Sequence, residues 1–323
     1  MNAMRWKLTP LLKGILWSNV VGFVLLIAIN TVAGYFSGER GLVITTGYVF
    51  VPLIIGIISA YFWSAEDLTV LQGLGRSLLN TLATLTASFV VMGEGIICLL
   101  ILAAWLAVLV AIGFGIGWVL FKIGKTIFLE IKKRQQLKAS VAMFLALVLL
   151  VDVLSPRQEE RLVSDALVIQ ASPEEVWKYV VAFPPIESRS AFWLFDLGLP
   201  RPVQTTVSGN FKGAERKCIF STGAVFDEVM TTFEPQKNLI FDIVKQPADP
   251  EILGHFDLSR GQFLIQDNGD GTVTLTGNSW YRLHVVPTWY YDLWAERIVR
   301  EVHLRVMKHI KTLAESGRGV AVK

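Results

Sequence analysis

Apolar residues are concentrated in the first 154 positions of this chain, and this concentration limits where most of those positions can lie. Hydrophobic residues make up 53% of the whole sequence, which is high for a protein that folds entirely in water. About 20 apolar residues in a helix cross a bilayer. Five apolar segments occur, at Ile15–Phe36, Leu42–Trp63, Ser77–Met92, Ile96–Phe121 and Ala139–Leu154. We therefore expect an α-helical membrane region over residues 1–157 with about five transmembrane helices.

The third and fourth apolar segments are separated only by Gly93-Glu94-Gly95. A single helix over Ser77–Phe121 would be about 67 Å long, more than twice the hydrocarbon core of a bilayer. We therefore expect a helical hairpin at this point, with Glu94 solvated at its tip near the membrane interface.

Basic residues form two groups beside these segments. Arg5, Lys7 and Lys13 precede the first segment, and six lysines and arginines occur from Lys122 to Lys138. The positive-inside rule favours the cytoplasm for both groups. Five spans would then give a multi-pass protein of the cell (inner) membrane, with a cytoplasmic N-terminus and an extracytoplasmic C-terminal domain. The first segment lacks a small-residue cleavage site after it, which indicates a retained anchor.

A few polar residues and glycines interrupt the apolar segments. Asn19, Asn30 and Asn80 are able to join helices by hydrogen bonds, and Gly113 with Gly117 gives the Gly-x-x-x-Gly spacing that permits close helix contact. The segments contain no row of charged residues typical of an ion or proton pathway. These features favour a packed anchor in the lipid bilayer, with homo-oligomerisation through the helices left open.

The last helix expected from the sequence runs from Thr288 to Ser316. Apolar residues recur there every three or four positions and form one stripe, at Tyr291, Trp294, Ile298, Val302, Val306, Ile310 and Leu313. The opposite face carries Glu296–Arg300 and Glu301–Arg305 at the supportive i,i+4 spacing. Such a helix would be about 43 Å long, so its stripe needs an equally long apolar surface to cover it.

The residues between 158 and 285 have the pattern of strands with two short helices. Arg161–Gln170 alternates as a strand, and Ser172-Pro173-Glu174-Glu175 is a capping box with proline at the first helical position. A short amphipathic piece follows near Arg189–Leu197, and then come six more strands, with a turn at Asp267–Gly271 before the last. The expected order is one strand, two helices, six strands and one long helix.

Three segments of this region form a family pattern, namely Ile169–Trp177, Gly213–Phe220 followed by Glu228, and Val302–Lys311. Together they resemble the START-like (SRPBCC) superfamily, especially its polyketide cyclase/dehydrase-type members. The resemblance covers residues 158–317, leaves 318–323 as a tail and excludes the membrane region. It implies an α+β helix-grip domain, in which a seven-stranded antiparallel sheet wraps a long C-terminal helix around an apolar cavity. It does not imply one activity, because fold is not function.

A tight turn at Ser221-Thr222-Gly223 would fix the register of the two strands beside it. Arg216 then faces Glu228 on one side of the sheet, and Lys217 faces Asp227 on the other. Opposite charges meet on both sides, which supports this register.

The side of this strand pair that carries Cys218, Phe220 and Phe226 is the more apolar, so we expect it to face inward. The Arg216–Glu228 pair would then lie at the cavity, either as a structural strut near the sheet edge or as an anchor for the head group of a ligand. The predicted ligand-binding residues are Arg216, Cys218, Phe220, Phe226, Glu228, Tyr281, Trp294 and Ile298.

Known catalytic and metal motifs do not occur in this sequence. It contains no His-x-x-Glu-His, Cys-x-x-Cys or Gly-x-Ser-x-Gly motif, and we expect no disulfide between Cys98 and Cys218. His284, Glu228 and Tyr281 are the candidate acids or bases, although packed or surface roles are favoured for them. We therefore assign no catalytic residue, metal or cofactor. Residues 156–323 contain 19 Lys and Arg against 21 Asp and Glu, so nucleic-acid binding is not expected.

Three functions are consistent with these features. The favoured one is a membrane-anchored protein whose cup binds a lipid or other hydrophobic small molecule on the extracytoplasmic side. The second is an enzyme of the cyclase or dehydratase type that acts on an apolar substrate. The third is a non-catalytic envelope sensor or assembly protein.

Overall fold

The computed structural model describes residues 8–37, 46–131, 159–247, 249, 251, 256–285 and 288–316. The chain divides into two compact units, one comprising Met1–Arg157 with Val285–Pro287 and the other comprising Gln158–His284 with Thr288–Lys323. In its described residues the first unit is helical, and the second combines a sheet with helices.

The first unit contains four α-helices in its described residues. They are α1 (Pro10–Ser37), α2 (Val51–Trp63), α3 (Val70–Met92) and α4 (Ile96–Ile131), and a π-helical turn at Thr46–Phe50 precedes α2. Three stretches are long and apolar enough to cross a membrane, at Pro10–Val32, Val70–Met92 and Ile96–Lys122.

The expected count of five transmembrane helices is therefore not supported, because the described residues contain three of sufficient length. The second expected segment is a shorter apolar helix, Gly47–Trp63, and the fifth, Ala139–Leu154, lies outside the described residues. The third is longer than expected. It begins at Val70 because Thr69 and Gln72 form a reciprocal capping box, a signal that apolar content does not include.

The hairpin expected between the third and fourth segments is confirmed. Helix α3 ends at Met92, α4 begins at Ile96, and Gly93 between them has a φ of 70°. That left-handed conformation is readily adopted by glycine and ends a helix without strain.

Helices α2 and α4 approach each other through glycines. A Cβ atom on Gly113 would lie 2.2 Å from the carbonyl oxygen of Leu53, and one on Gly56 would lie 2.3 Å from the carbonyl oxygen of Val110. These distances leave no room for a methyl group, so the close helix contact expected at Gly113 is confirmed. Gly115 differs, because a Cβ there would have no described atom within 4 Å.

A polar network joins α1 to α3. Asn19 Nδ2 donates a hydrogen bond to Asn80 Oδ1 at 2.7 Å, and Thr84 Oγ1 donates to Asn19 Oδ1, also at 2.7 Å. Asn80 Nδ2 donates in turn to Ser18 Oγ at 3.2 Å. The helix-joining role expected of Asn19 and Asn80 is therefore confirmed. Asn30 is different, because its buried Oδ1 has no hydrogen-bond partner among the described residues.

The second unit has the element order expected from the sequence. Its helices are α5 (Pro173–Val181), α6 (Trp193–Asp196) and α7 (Thr288–Ser316). Its strands are β1 (Arg161–Ile169), β2 (Pro202–Val207), β3 (Glu215–Phe220), β4 (Val225–Glu234), β5 (Asn238–Lys245), β6 (Phe256–Asp267) and β7 (Val273–Leu283). They form one seven-stranded antiparallel sheet in the order β1-β7-β6-β5-β4-β3-β2.

The register expected between β3 and β4 is also confirmed. Arg216 pairs with Glu228, and Lys217 pairs with Asp227. The connecting turn is closed by a hydrogen bond of 2.9 Å from the Phe220 N–H to the carbonyl oxygen of Ala224. This register assigns the two ion pairs to opposite sides of the sheet.

Helix α7 has the expected bounds, but its buried face is rotated from the expected stripe. Its buried residues are Ala295, Val299, His303, Arg305, Val306, Met307, Ile310 and Ala314, whereas Trp294 and Ile298 are half-buried. The helix approaches the sheet closely at Gly277, where an added Cβ would lie 3.0 Å from Met307 Sδ. Trp294 and Ile298 lie beside this buried face.

Arg305 was expected on the polar face of α7 and is instead 8% exposed. Its guanidinium donates hydrogen bonds to three backbone carbonyl oxygens, those of Pro202 (3.1 Å), Ser188 (2.9 Å) and Ile186 (3.3 Å). Arg305 therefore ties the loop before β2 to α7. Glu301, its expected partner, is paired with Arg297 at 2.8 Å.

Candidate functional site

A cavity of about 90 Å³ lies between the sheet and α7 in the second unit. Most of its wall is apolar and includes Phe220, Phe226, Phe241, Phe263, Val302 and Val306. Its polar side chains include Arg216, Glu228, Ser279 and His303. One water molecule needs only about 10–15 Å³ of such volume, so the cavity has room for several waters or a small apolar group. An apolar wall with a few placed polar groups is typical of small-molecule sites.

The Arg216–Glu228 ion pair lies in this wall and joins the two internal strands β3 and β4. The two side chains are 3% and 5% exposed, and Arg216 Nη1 contacts Glu228 Oε2 directly. Arg216 Nε also donates to the carbonyl oxygen of Val181 at 3.3 Å, and the guanidinium carbon lies 4.3 Å from the ring centroid of Phe241. The arginine is therefore held by three different contacts, and the pair is not at the edge of the sheet.

Burial is the main cause of the pKa shifts in this part of the cavity wall. Desolvation raises the pKa of Glu228, and the opposing attraction of Arg216 is smaller. Desolvation also raises the pKa of the Cys218 thiol to about 12, with a further contribution from the charge of Glu228. The Cys218 side chain lines the cavity. Because the raised pKa keeps it a thiol at neutral pH, it is a weak nucleophile.

The structure brings five of the eight predicted ligand-binding residues together in the cavity wall. These are Arg216, Cys218, Phe220, Phe226 and Glu228. The two phenylalanine rings, which belong to β3 and β4, lie 4.9 Å apart between centroids. Ligand binding by these five residues remains a prediction.

The other three predicted residues, Tyr281, Trp294 and Ile298, do not line this cavity. Tyr281 is 2% exposed, and its hydroxyl donates to Asp292 Oδ1 at 2.6 Å, near the start of α7. Burial raises the pKa of this hydroxyl, and the hydrogen bond to Asp292 raises it further. Trp294 and Ile298 are displaced from the cavity by the rotation of α7.

The candidate acid–base residues fall in different places. Glu228 is in the cavity wall, whereas His284 and Tyr281 are not. The Nε2 atom of His284 lies 2.8 Å from Asp257 Oδ2, near the end of β7. Among the described residues, no group of three or more His, Cys, Asp or Glu side chains is arranged to hold a metal ion.

A second polar group at the cavity was not expected from the sequence. It consists of Ser279 on β7, His303 on α7 and Asp165 on β1, connected by hydrogen bonds. Asp165 shares the inward side of β1 with Val163 and Ile169, both buried. A carboxylate on an apolar side requires a polar partner, so Asp165 was a sign of such a group. Its partner lies 138 positions away in the chain, and the sequence alone does not identify it.

The comparisons with known proteins give similarities of structure. No protein-family model and no curated protein matches the sequence. Among similar solved structures is XoxI from Bacillus cereus, with 13% identity over 47% of this chain and 94% of that one, and a TM-score of 0.33. Truncated norcoclaurine synthase from Thalictrum flavum has 12% identity, covers 49% of this chain and 96% of its own, and has a TM-score of 0.35.

A START superfamily protein from Mycobacterium smegmatis has 14% identity, covers 48% of this chain and 97% of its own, and has a TM-score of 0.34. At such identities the similarity concerns fold alone. The strand order and the long C-terminal helix are those that the sequence resemblance implied. The second unit therefore has the helix-grip architecture, a seven-stranded antiparallel sheet with a long C-terminal helix.

Proposed function

We propose that this chain is a membrane-anchored binding protein whose second unit holds a lipid or other hydrophobic small molecule in its cavity. The composition of the cavity carries this proposal, because apolar side chains, five of them phenylalanines, form most of the wall. Three helices of the first unit have the length and composition of a membrane anchor.

The buried ion pair gives the ligand a preferred orientation. Arg216 and Glu228 are the charged side chains of the wall, and an arginine fork is suited to a planar carboxylate or a phosphate. We therefore place the polar end of the ligand towards Arg216 and its apolar part against the phenylalanine rings. The corresponding expectation is that Arg216→Lys weakens binding, because lysine keeps the charge but lacks the fork.

We propose that the second unit lies outside the cytoplasm. The basic group from Lys122 to Lys138 favours the cytoplasmic side, and the apolar segment Ala139–Leu154 separates it in sequence from the second unit. With the N-terminal basic residues also in the cytoplasm, this sidedness requires the shorter apolar helix Gly47–Trp63 to cross the membrane together with the three longer ones. A hydrophobic ligand would then reach the cavity of the second unit from the extracytoplasmic side of the cell membrane.

Native mass spectrometry of the full-length protein in detergent tests the binding function. Because the apolar helices also attract lipid, the informative quantity is the difference between matched variants. Val302→Phe places a larger side chain in the cavity wall, whereas Leu264→Phe changes a β6 residue that is 41% exposed and does not line the cavity. We expect the wild type and Leu264→Phe to retain one bound hydrophobic molecule that Val302→Phe loses.

Equal occupancy in all three proteins would show that the bound molecule is not in the cavity. An empty wild-type cavity after purification and after incubation with a lipid extract would contradict the proposal. That result would favour the alternative of a non-catalytic sensor or assembly protein.

A further inference from the structure

Three side chains from distant parts of the second unit form one chain of hydrogen bonds. Ser279 Oγ lies 2.7 Å from His303 Nε2, and His303 Nδ1 lies 2.9 Å from Asp165 Oδ2. Both distances are within the range found for a nucleophile, its base and the group that orients the base. Asp165 and His303 are 8% and 7% exposed, so water does not compete strongly for these bonds.

The carboxylate determines which nitrogen of His303 carries the proton. Asp165 Oδ1 accepts a hydrogen bond of 2.7 Å from Arg300, which keeps the carboxylate in place and provides a positive partner. Because a carboxylate only accepts, the proton of neutral His303 is on Nδ1 and points to Asp165. The Nε2 atom is then the acceptor for the hydroxyl of Ser279. Burial lowers the pKa of His303, which favours this neutral form.

The chain of hydrogen bonds meets the cavity at its serine end. Ser279 and His303 line the cavity, whereas Asp165 is not part of its wall. Ser279 is half-buried, in contrast to the two buried members behind it. A purely structural network would not require its hydroxyl to face a cavity, so this position is informative about function.

We infer that Ser279 is a nucleophile, activated by His303 and directed by Asp165, for a carboxylic ester or thioester whose apolar acyl group enters the cavity. This goes beyond the proposed binding function, because a cavity can hold such a molecule without reacting with it. His303 touches the reacting oxygen and is a catalytic residue in this scheme. Asp165 and Arg300 act through His303 and are positioning residues.

The reaction is balanced with water as the second substrate. Ser279 Oγ forms a bond to the acyl carbon while His303 Nε2 takes the hydroxyl proton. The bond from the acyl carbon to the alcohol oxygen or thiol sulfur breaks, and the leaving group takes that proton. Water then attacks the acyl-serine, again with His303 as base, and releases the free acid and the serine hydroxyl.

A short-chain alkyl fluorophosphonate, whose alkyl group matches the small cavity, tests this inference on the full-length protein in detergent. Phosphonylation of the serine oxygen releases fluoride and gives a fixed mass increase, which peptide mapping assigns to one residue. We expect a single label on Ser279 in the wild type and no label in Ser279→Ala. Loss of the base should slow labelling by at least about 100-fold in His303→Gln, and added imidazole should restore part of the rate in His303→Ala.

A matched control is available on the neighbouring strand. The hydroxyl of Ser259 donates a hydrogen bond of 2.6 Å to Glu160 and lacks a histidine partner among the described residues. Ser259→Ala should therefore be labelled at Ser279 as fast as the wild type. Asp165→Asn should slow labelling and leave the affinity for a non-reactive short-chain ether analogue of the ester unchanged, whereas a purely structural role would change both or neither.

The wild type alone can overturn the inference, so the result does not depend on whether a variant folds. If folded wild-type protein is not labelled at Ser279 while an added serine hydrolase in the same tube reacts fully, the network is structural. The same conclusion follows if His303→Gln is labelled at the wild-type rate. In either case the binding proposal stands, since the mass spectrometry of the cavity variants tests it separately.

Discussion

Replacing Glu228 with alanine tests how much the buried ion pair stabilises the second unit. Glu228 and Arg216 are 5% and 3% exposed, so the change leaves the charge of Arg216 without its partner and out of reach of water. Breaking a buried pair in this way costs about 3–5 kcal/mol in the free energy of unfolding. At about 2–4 °C per kcal/mol for a domain of this size, the melting temperature should fall by roughly 6–20 °C.

The same pair of strands provides the control. Lys217 and Asp227 occupy the next register position on the opposite side of the sheet, 3.9 Å apart, and are 55% and 34% exposed. Asp227→Ala should therefore cost below about 1 kcal/mol. The double variant Arg216→Met/Glu228→Leu should recover much of the loss, because no buried charge is left unpaired.

Pulse proteolysis across a urea series is a suitable assay, because it reports the unfolding of the second unit in the full-length protein. The quantity compared is the urea midpoint of each variant. Equal small losses for Glu228→Ala and Asp227→Ala would refute the reasoning. So would a double variant whose loss of stability equals the sum of the losses measured for Arg216→Met and Glu228→Leu singly, because the pair would then have no coupling energy.

Four further predictions concern other parts of the chain. Gly113→Ala should destabilise the first unit in detergent by about 1–3 kcal/mol through overpacking, and Gly115→Ala should change it little, since only the first site meets a backbone oxygen. Burial lowers the folded-state pKa of His303 below its ordinary value of about 6.5. Its contribution to stability is therefore present above that pH and is lost as the pH falls through the lowered pKa, so His303→Gln should flatten the acid side of the stability curve. Residues 158–323, expressed without the helices of the first unit, should melt cooperatively, because they contain a complete sheet and core. Cysteine reporters should be labelled from outside intact cells in the turn before β7 and not in the basic group from Lys122 to Lys138.

Each of these has a result that would contradict it. Equal stabilities of the two glycine variants would mean that helices α2 and α4 do not depend on the close approach. An unchanged pH slope in His303→Gln would show that this histidine does not titrate differently on folding. A molten product from residues 158–323 would indicate that the membrane part completes the fold, and external labelling of the basic group would reverse the proposed sidedness.

Features fixed by neighbouring residues could be predicted from the sequence. The bounds of α7 followed from apolar residues at helical spacing, and the register of β3 on β4 followed from one tight turn and two pairs of opposite charges. The hairpin at Gly93 followed from length, because one continuous helix would exceed the bilayer. In the first two cases the deciding interactions lie within about a dozen residues of each other, and in the third the length of one continuous apolar segment is enough.

The length of the membrane helices could be predicted only in part. Apolar content identified the segments, but the start of α3 was set by the capping box of Thr69 and Gln72, which consists of polar residues and therefore lies outside the apolar segment. The segment before Trp63 was expected to span and is a shorter apolar helix. Hydrophobicity alone does not determine where a helix begins.

Only the tertiary structure decided which face of α7 meets the sheet. The periodicity predicts that one side of the helix is buried, but burial is non-directional, and the rotation depends on where side chains fit the surface opposite. The face that carries Val299, His303 and Ile310 is buried, and Trp294 and Ile298 are half-buried beside it. Arg305 was buried because three carbonyl oxygens of a distant loop are within reach of its guanidinium.

The polar group formed by Asp165, Ser279 and His303 was likewise decided only by the tertiary structure. Asp165 stands out in its segment only as a carboxylate on the apolar side of β1, and Ser279 and His303 do not stand out in theirs. Strand β1 pairs with β7, and α7 lies across both, which brings together side chains that are 24 and 138 positions apart in the chain. Hydrogen bonds act over about 3 Å and require alignment, so such a group exists only once the sheet and the helix have fixed all three positions.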